Sequence, residues 1–327
     1  MLPAVGKKFE DRVQEVRNAA QEPGVAEHRK HLIKTLGGRN GYLISLAMPA
    51  LRAGDDTFLD AARAAFETLL SDPIKRDPQC HGKVAIAQAL YDADVSSDAL
   101  FLSGVAHVQL EPVMGGRQDT AAQLRGISLM ALVHVQHPRA LVCAATMLAD
   151  AERAARIAAL RALTASGRDD IAEPLLRLRL GAGESDPEVL SECMSALLEV
   201  NGHDNLAVMA AYLAAEDTAA AQAAAVALGA SRLPGALEIL STHVGNTVSP
   251  ERRRTLILGI AMLRSDAGWQ LLIELVMEGS RGEAIDAIDA LATFKEQPGL
   301  RERVQDASMD RGDDEIQRSF EHSFGAE

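Results

Sequence analysis

The chain has 327 residues, of which 47% are hydrophobic, 3% aromatic and 24% charged, and its 33 Lys and Arg against 46 Asp and Glu give a formal net charge of −13. The hydrophobic content excludes an intrinsically disordered chain, and no apolar run reaches the roughly 18 residues that a membrane-spanning helix needs. The acidic balance argues against a protein that mainly grips nucleic-acid phosphates, because that affinity comes from Lys and Arg.

Three cysteines lie far apart in the chain, so their spacing indicates no disulfide framework and fits a reducing compartment. The first 20 residues hold no apolar segment of the kind that a secretory signal contains. We therefore expect a cytoplasmic protein without a membrane partner.

The N-terminal third is predicted to be helical but irregular. Residues 1–25 are expected to form a cap. Two helix pairs and one helix without an assignable partner follow, interrupted by irregular stretches at 71–81 and 111–119. The predicted helices cover residues 27–36, 41–52, 57–70, 83–92 and 98–109.

From about residue 120 the chain repeats a unit of two helices, with apolar residues at the helical spacing i, i+3, i+4 and i+7. The first helix of each unit ends in a leucine, and these leucines are 28 to 35 residues apart. They are Leu132, Leu163, Leu197, Leu228, Leu263 and Leu291. The second helices begin in the same register at Ala140, Ile171, Leu206, Ala236, Trp269 and Leu300.

First helices such as Arg156-Ile-Ala-Ala-Leu-Arg-Ala-Leu163, with an Asp or Pro opening the second helix, resemble the HEAT-repeat family. The likeness is to its short bacterial form, the lyase-type HEAT-like repeats. It implies an all-α, armadillo-like, right-handed α-solenoid of antiparallel helix pairs, with repeats of about 32 residues. We expect one elongated domain over 1–327: a cap (1–25), irregular repeats (26–119), regular repeats (120–311) and a C-terminal cap or tail (312–327).

The resemblance places the second helices on the concave face, where neighbouring polar columns would line a groove. The predicted binding residues are Glu173, Arg177, Tyr212, Glu238 and Thr242. The alternative is that Glu173 and Arg177 form only a solvated i, i+4 pair. Because residues 164–327 hold 14 basic against 28 acidic side chains, the partner protein or peptide is expected to be basic at this half.

We therefore predict a non-enzymatic scaffold, with no catalytic residues, metal or cofactor. Histidine pairs at i, i+3 spacing, His28/His31 and His134/His137, lack the further ligands of a metal site. Adjacent Cys80 and His81 lack an orienting third group.

Two glycine-rich turns, at 37–41 and 115–118, precede helices but match no nucleotide motif. The basic run at 252–254 is interpreted as a solvated helix start, and the acidic chain disfavours nucleic-acid binding. The absence of any His-Glu dipeptide excludes a likeness to di-iron deoxyhypusine hydroxylases. The alternative that stays open is a helical-repeat enzyme or enzyme subunit of the tetrapyrrole (phycobilin) lyase type.

Overall fold

The computed structural model describes residues 4–52 and 55–325, which form helices and one small sheet. The chain divides into two compact units, residues 1–167 and 168–327. In the described part of the chain, no helix combines the length and the apolar character needed to cross a membrane.

The first unit holds ten helices among its described residues, and short 3-10 turns lie at Met48–Ala50 and Pro78–Cys80. The helices are α1 (Ala4–Gln21), α2 (Ala26–Leu36), α3 (Gly41–Ala47), α4 (Asp56–Leu70), α5 (Pro73–Arg76), α6 (His81–Asp92), α7 (Asp98–Ala106), α8 (Ala122–His134), α9 (Ala140–Met147) and α10 (Arg153–Ala165). Helix α6 is central, because it packs against α3, α4 and α8, and α8 in turn packs against α7 and α10.

A β-hairpin stands in this unit where the sequence predicted an irregular stretch. Strand β1 (Leu110–Val113) pairs antiparallel with β2 (Gly116–Asp119), from Leu110 opposite Asp119 to Val113 opposite Gly116. Gly115 turns the chain with a φ of +92°, which glycine adopts without strain. The two strands are only four residues long and show no alternation of buried and exposed residues, so the usual sequence signal of a strand is missing.

The second unit contains nine helices within the residues that the structure describes. They are α11 (Asp169–Gly181), α12 (Pro187–Ala214), α13 (Thr218–Ser231), α14 (Ala236–Asn246), α15 (Pro250–Met262), α16 (Asp266–Glu278), α17 (Arg281–Ala292), α18 (Leu300–Arg311) and α19 (Asp314–Phe324). Helix α13 packs against its neighbour α12, and alternate helices then pack in succession: α13 contacts α15, α15 contacts α17, and α17 contacts α19.

Polar side chains fix where several of these helices begin. Each accepts a hydrogen bond from a backbone N–H of the first turn, which has no acceptor inside the helix. At α17 the arrangement is a reciprocal capping box with Glu283. The N-cap residues are Asp186, Asp217, Ser249, Ser265, Ser280 and Asp313.

Helix α12 is broken at Asn201, whose backbone is not helical (φ −150°, ψ 77°). The buried amide of Asn205 donates to the carbonyl oxygens of Leu197 (3.1 Å) and Asn201 (2.8 Å). These bonds satisfy backbone acceptors at the break. The break lies between the predicted end of one helix at Leu197 and the predicted start of the next at Leu206.

Small residues let α13 and α15 approach closely. A Cβ on Gly229 would lie 2.4 Å from the carbonyl oxygen of Gly259, and a Cβ on Gly259 would lie 2.7 Å from that of Ala225. Both distances are shorter than real carbon–oxygen contacts, so only glycine fits. Alanine and glycine thus give this unit a close-packed interior with few aromatic rings.

The C-terminal segment 312–327, predicted as a cap or tail, contains helix α19 in its described part. Ile316, Phe320 and Phe324 are buried on one face of this helix, and α19 packs against α17 and α18. The apolar spacing of four residues is that of an amphipathic helix. The segment therefore closes the apolar side of its neighbours.

Candidate functional site

Two of the predicted binding residues contact each other at the surface of the second unit. The guanidinium of Arg177 lies 2.8 Å from a carboxylate oxygen of Glu173, so the i, i+4 pair is formed. Glu173 also accepts hydrogen bonds from the amides of Asn201 (3.0 Å) and Asn205 (3.4 Å). The bonds from Asn201 and Arg177 hold the pKa of Glu173 below its usual range. Glu173 therefore ties α11 to the break in α12.

The other three predicted residues lie on α12 and α14. Tyr212 is half-buried, and burial raises the pKa of its phenol. Glu238 and Thr242 are exposed and lie one helical turn apart on α14. Thr242 lines a pocket that does not include the other four predicted residues, so the structure groups these positions only in part.

That pocket has a volume of about 330 Å³ and lies among helices α12, α13, α14 and α15. We call it the α12–α15 pocket. Its apolar lining combines two leucines with small alanines, which leave space where longer side chains would fill it. The lining residues are Leu213, Ala214, Ala221, Gln222, Ala225, Thr242, His243, Asn246, Thr247, Arg252, Thr255 and Leu256.

The polar groups of the α12–α15 pocket are held by hydrogen bonds within the second unit. His243 Nδ1 lies 2.8 Å from the carbonyl oxygen of Ile239, so that nitrogen carries the proton and donates. Arg252 donates to the carbonyl oxygen of Glu216 (2.6 Å). Gln222 donates to the carboxylate of Glu251 (2.9 Å). The rim is therefore ordered before any ligand arrives, which lowers the entropy that binding must overcome.

Acidic residues lie next to residues of this pocket in the sequence. Glu216 and Asp217 follow Ala214 in the chain, Glu251 precedes Arg252, and all three are exposed. The second unit as a whole carries 14 Lys and Arg against 28 Asp and Glu. The unit is therefore acidic as a whole, although the charged side chain in the pocket lining is Arg252.

The hairpin of the first unit borders a second pocket, of about 530 Å³, which the sequence did not indicate. Glu111 of β1 lines it together with Gln79, His81 and Thr120. One oxygen of Glu111 accepts from Gln79 N (2.6 Å), Gln109 Nε2 (2.6 Å) and Thr120 Oγ1 (2.8 Å). Burial alone would raise the pKa of Glu111, but these three bonds outweigh it and lower the pKa.

Buried ion pairs fix the base of this hairpin. Arg125 contacts Asp119 (2.7 Å) and Asp150 (2.9 Å) and donates to the carbonyl oxygen of His107. Asp77 and Lys83, both fully buried, form a pair at 2.8 Å. Buried ion pairs add little net stability to the fold, because the cost of desolvating the charges offsets their attraction unless the two groups are well aligned. Through Asp119, the ion pair of Arg125 ties strand β2 to helix α8.

Away from the ion pair at Asp119, the hairpin exposes apolar side chains to solvent. Leu110 and Val113 are exposed, and Met114 at the turn is fully so. No other part of the described chain covers these three side chains. A few exposed apolar residues are common on protein surfaces, so they do not by themselves indicate a binding site.

Several of the cysteine and histidine side chains that the sequence suggested as reactive are buried or paired with neighbouring residues. Cys80 and Cys193 are buried, and burial raises the pKa of each thiol to about 12. His134 contacts Asp94 (2.9 Å). Among the described residues, no three His, Cys, Asp or Glu side chains converge as metal ligands.

The basic run at 252–254 is engaged within the second unit. Arg253 and Arg254 lie 2.8 and 3.2 Å from the buried carboxylate of Asp286, while Arg252 binds the backbone near the α12–α15 pocket. The run therefore serves contacts between helices.

Comparisons with known proteins add little to these observations. No protein-family model matches the chain, and no curated protein matches its sequence. Among solved structures, a crystal structure of an engineered protein from the Northeast Structural Genomics Consortium is similar with 16% identity and a TM-score of 0.35, covering 96% of this chain and 92% of that chain. So low a TM-score carries no argument about fold or function.

Proposed function

We propose that the chain is a non-enzymatic scaffold that binds a partner protein, and that the α12–α15 pocket holds an apolar side chain of that partner. The pocket itself is the observation that carries this proposal. It combines an apolar lining, a fixed polar rim and Thr242, which the sequence pattern had selected. An anchor residue in such a concavity is the usual centre of a protein interface.

The charge around the pocket specifies the chemistry of the partner. An apolar anchor of the size of Leu or Phe contributes about 1.5–3 kcal/mol when it is buried. Exposed Glu216, Asp217 and Glu251 near the mouth would attract Lys or Arg on either side of that anchor. We therefore propose a basic segment with one apolar residue as the occupant.

The predicted residues outside the pocket would extend this interface. Glu238 lies one turn before Thr242 on α14, and Tyr212 precedes Leu213 of the pocket lining on α12. Arg177 is exposed on α11. Replacing Arg177 and Tyr212 together by alanine should weaken binding of the partner. An unchanged affinity would show that these two residues lie outside the interface and that the pocket alone binds the partner.

For the architecture, we propose a right-handed α-solenoid of HEAT-like repeats, with the second helices facing the partner. The successive packing of α13, α15, α17 and α19 supports this proposal, because first helices of stacked repeats contact one another in this way. A compact chain of this length would have a radius of gyration of about 20 Å. The solenoid predicts a clearly larger value in small-angle X-ray scattering, and a value near 20 Å would contradict it.

A random peptide library displayed on phage tests the proposed ligand. We expect enrichment of peptides with Leu, Phe or Met between Lys or Arg residues. Ala214→Trp places a large ring at the pocket from an exposed position, and it should reduce the affinity of an enriched peptide at least about tenfold, the loss of roughly 1.4 kcal/mol. Ala230→Trp, at an exposed alanine of α13 outside the pocket lining, is the matched control.

Other outcomes would contradict the proposal. Enrichment of acidic peptides, or equal effects of the two tryptophan variants in fluorescence polarisation, would show that the pocket is not the binding site. Uptake of a linear tetrapyrrole by the protein, blocked by Ala214→Trp and without any peptide enrichment, would instead favour a lyase-type function.

A further inference from the structure

A basic pocket lies in the first unit, far in sequence from the proposed partner site. It has a volume of about 270 Å³ and is formed by α1, α2 and the turn before α3. Three cationic side chains from these three segments line it: Arg12, Lys34 and Arg39. The remaining lining residues are Glu15, Val16, His31, Thr35, Gly38, Asn40 and Leu43.

The three cationic side chains are exposed, and none of them forms an ion pair with the part of the chain that the structure describes. Among the described residues, no hydrogen bond or ion pair engages Arg12, Lys34 or Arg39, and Glu15 pairs with none of them. Elsewhere on α2, by contrast, Arg29 is held by Asp55 at 2.6 Å. The pocket therefore keeps an excess of positive charge, which a bound anion would balance.

His31 supplies a second, independent sign of a ligand. Its Nε2 atom is buried and has no hydrogen-bond partner among the described residues, although its ring lines the basic pocket. Buried polar side-chain atoms almost always have a partner, so an orphan atom needs an explanation. Nε2 is closed off from solvent in this conformation, so an oxygen acceptor in the pocket would receive a hydrogen bond from Nε2–H once the ring turns toward it, which would remove the deficit.

We propose that this pocket binds the phosphate group of a small phosphate monoester. Guanidinium groups bind phosphate oxygens through paired N–H donors, and two arginines and a lysine suit a dianion better than a single carboxylate. The pocket lacks Phe, Tyr and Trp on which a nucleobase could stack, as far as the described residues line it. A phosphorylated sugar or glycerol phosphate therefore fits the site better than a nucleotide.

Isothermal titration of the full chain with glycerol phosphate, and with glycerol as the uncharged analogue, tests the assignment. We expect saturable binding of the ester at low salt and none of glycerol. The variant Arg12→Gln/Arg39→Gln should weaken binding about tenfold or more, because each of the two arginines loses charge-assisted hydrogen bonds to the phosphate. Lys75→Gln/Arg117→Gln removes the same charge at exposed sites of the same unit and should leave affinity within about twofold.

A third variant separates a ligand-binding histidine from a structural one. His31→Leu removes the orphan nitrogen, so it should weaken ester binding while the urea midpoint of the free protein stays unchanged or rises. Absence of ester binding to the wild-type protein at millimolar concentration would overturn the proposal. Equal losses in the two charge-matched variants would also overturn it, as would destabilisation without loss of affinity in His31→Leu.

Discussion

Replacing Lys83 by methionine should destabilise the first unit strongly, because it leaves a buried carboxylate without its counter-ion. Lys83 and Asp77 are both 0% exposed, and Nζ lies 2.8 Å from Oδ2. The carboxylate would keep only the backbone donors Gly82 N (2.7 Å) and Lys83 N (3.0 Å). Breaking a buried pair in this way costs about 3–5 kcal/mol.

The double variant Asp77→Asn/Lys83→Met should recover more than half of that loss. The amide oxygen of an asparagine can still accept the hydrogen bond that Gly82 N donates to Oδ1; the bond from Lys83 N to Oδ2 is lost, but no unpaired charge remains. The coupling between the two substitutions, read from a double-mutant cycle, is therefore expected to be about 2 kcal/mol or more in favour of the double variant.

Urea unfolding followed by circular dichroism measures these differences, provided that the slope m is the same in all variants. Lys75→Met is the control, because Lys75 is exposed and such substitutions usually change stability by less than about 0.5 kcal/mol. A loss below about 1 kcal/mol for Lys83→Met, or strict additivity in the cycle, would refute the reasoning.

Two further predictions concern packing and thiol chemistry. Gly229→Ala should lower the free energy of unfolding by about 1–3 kcal/mol, since its Cβ would lie 2.4 Å from the backbone of Gly259. The control is Gly245→Ala in α14, whose Cβ meets nothing within 4 Å, so it should be neutral or stabilise by up to about 1 kcal/mol. Equal shifts of the melting temperature in the two variants would contradict this prediction. At about pH 8, near the ordinary pKa of a thiol, a disulfide reagent should label the half-buried Cys143 of the folded protein much faster than Cys80 and Cys193. These two cysteines are buried, and burial raises the pKa of their thiols. Labelling of all three cysteines at the same rate would show that the interior opens.

Helix positions from about residue 120 onward were largely predictable, because local signals mark their ends. The predicted starts at Ala140, Ala236 and Leu300 coincide with observed helix starts, and a proline or glycine precedes each one closely. The start at Leu206 does not coincide, because helical hydrogen bonding continues on both sides of Asn201 and a single broken helix spans the predicted boundary. At the break, Asn205 makes local hydrogen bonds to the carbonyl oxygens of Leu197 and Asn201, whereas Glu173 accepts from Asn201, 28 residues later, only after folding.

The sites were less predictable, since their residues meet through tertiary contacts. Thr242 was selected from a periodic column, but the α12–α15 pocket also needs the alanines of α13, whose spacing shows only close packing. The hairpin is anchored by Glu111, which accepts a bond from the backbone of Gln79, 32 residues earlier. No short window of sequence contains both partners.

Net charge illustrates why composition excludes some ligands and not others. A formal charge of −13 argues against a long polyphosphate backbone, which must contact many cations across a wide surface. A single phosphate group senses chiefly the charges within one Debye length, about 8 Å at physiological ionic strength. Within the basic pocket, Arg12, Lys34 and Arg39 face one carboxylate, Glu15, and most of the acidic excess belongs to the other unit. An acidic protein can therefore hold a local phosphate site, and the same distribution is compatible with the basic partner that we propose for its acidic unit.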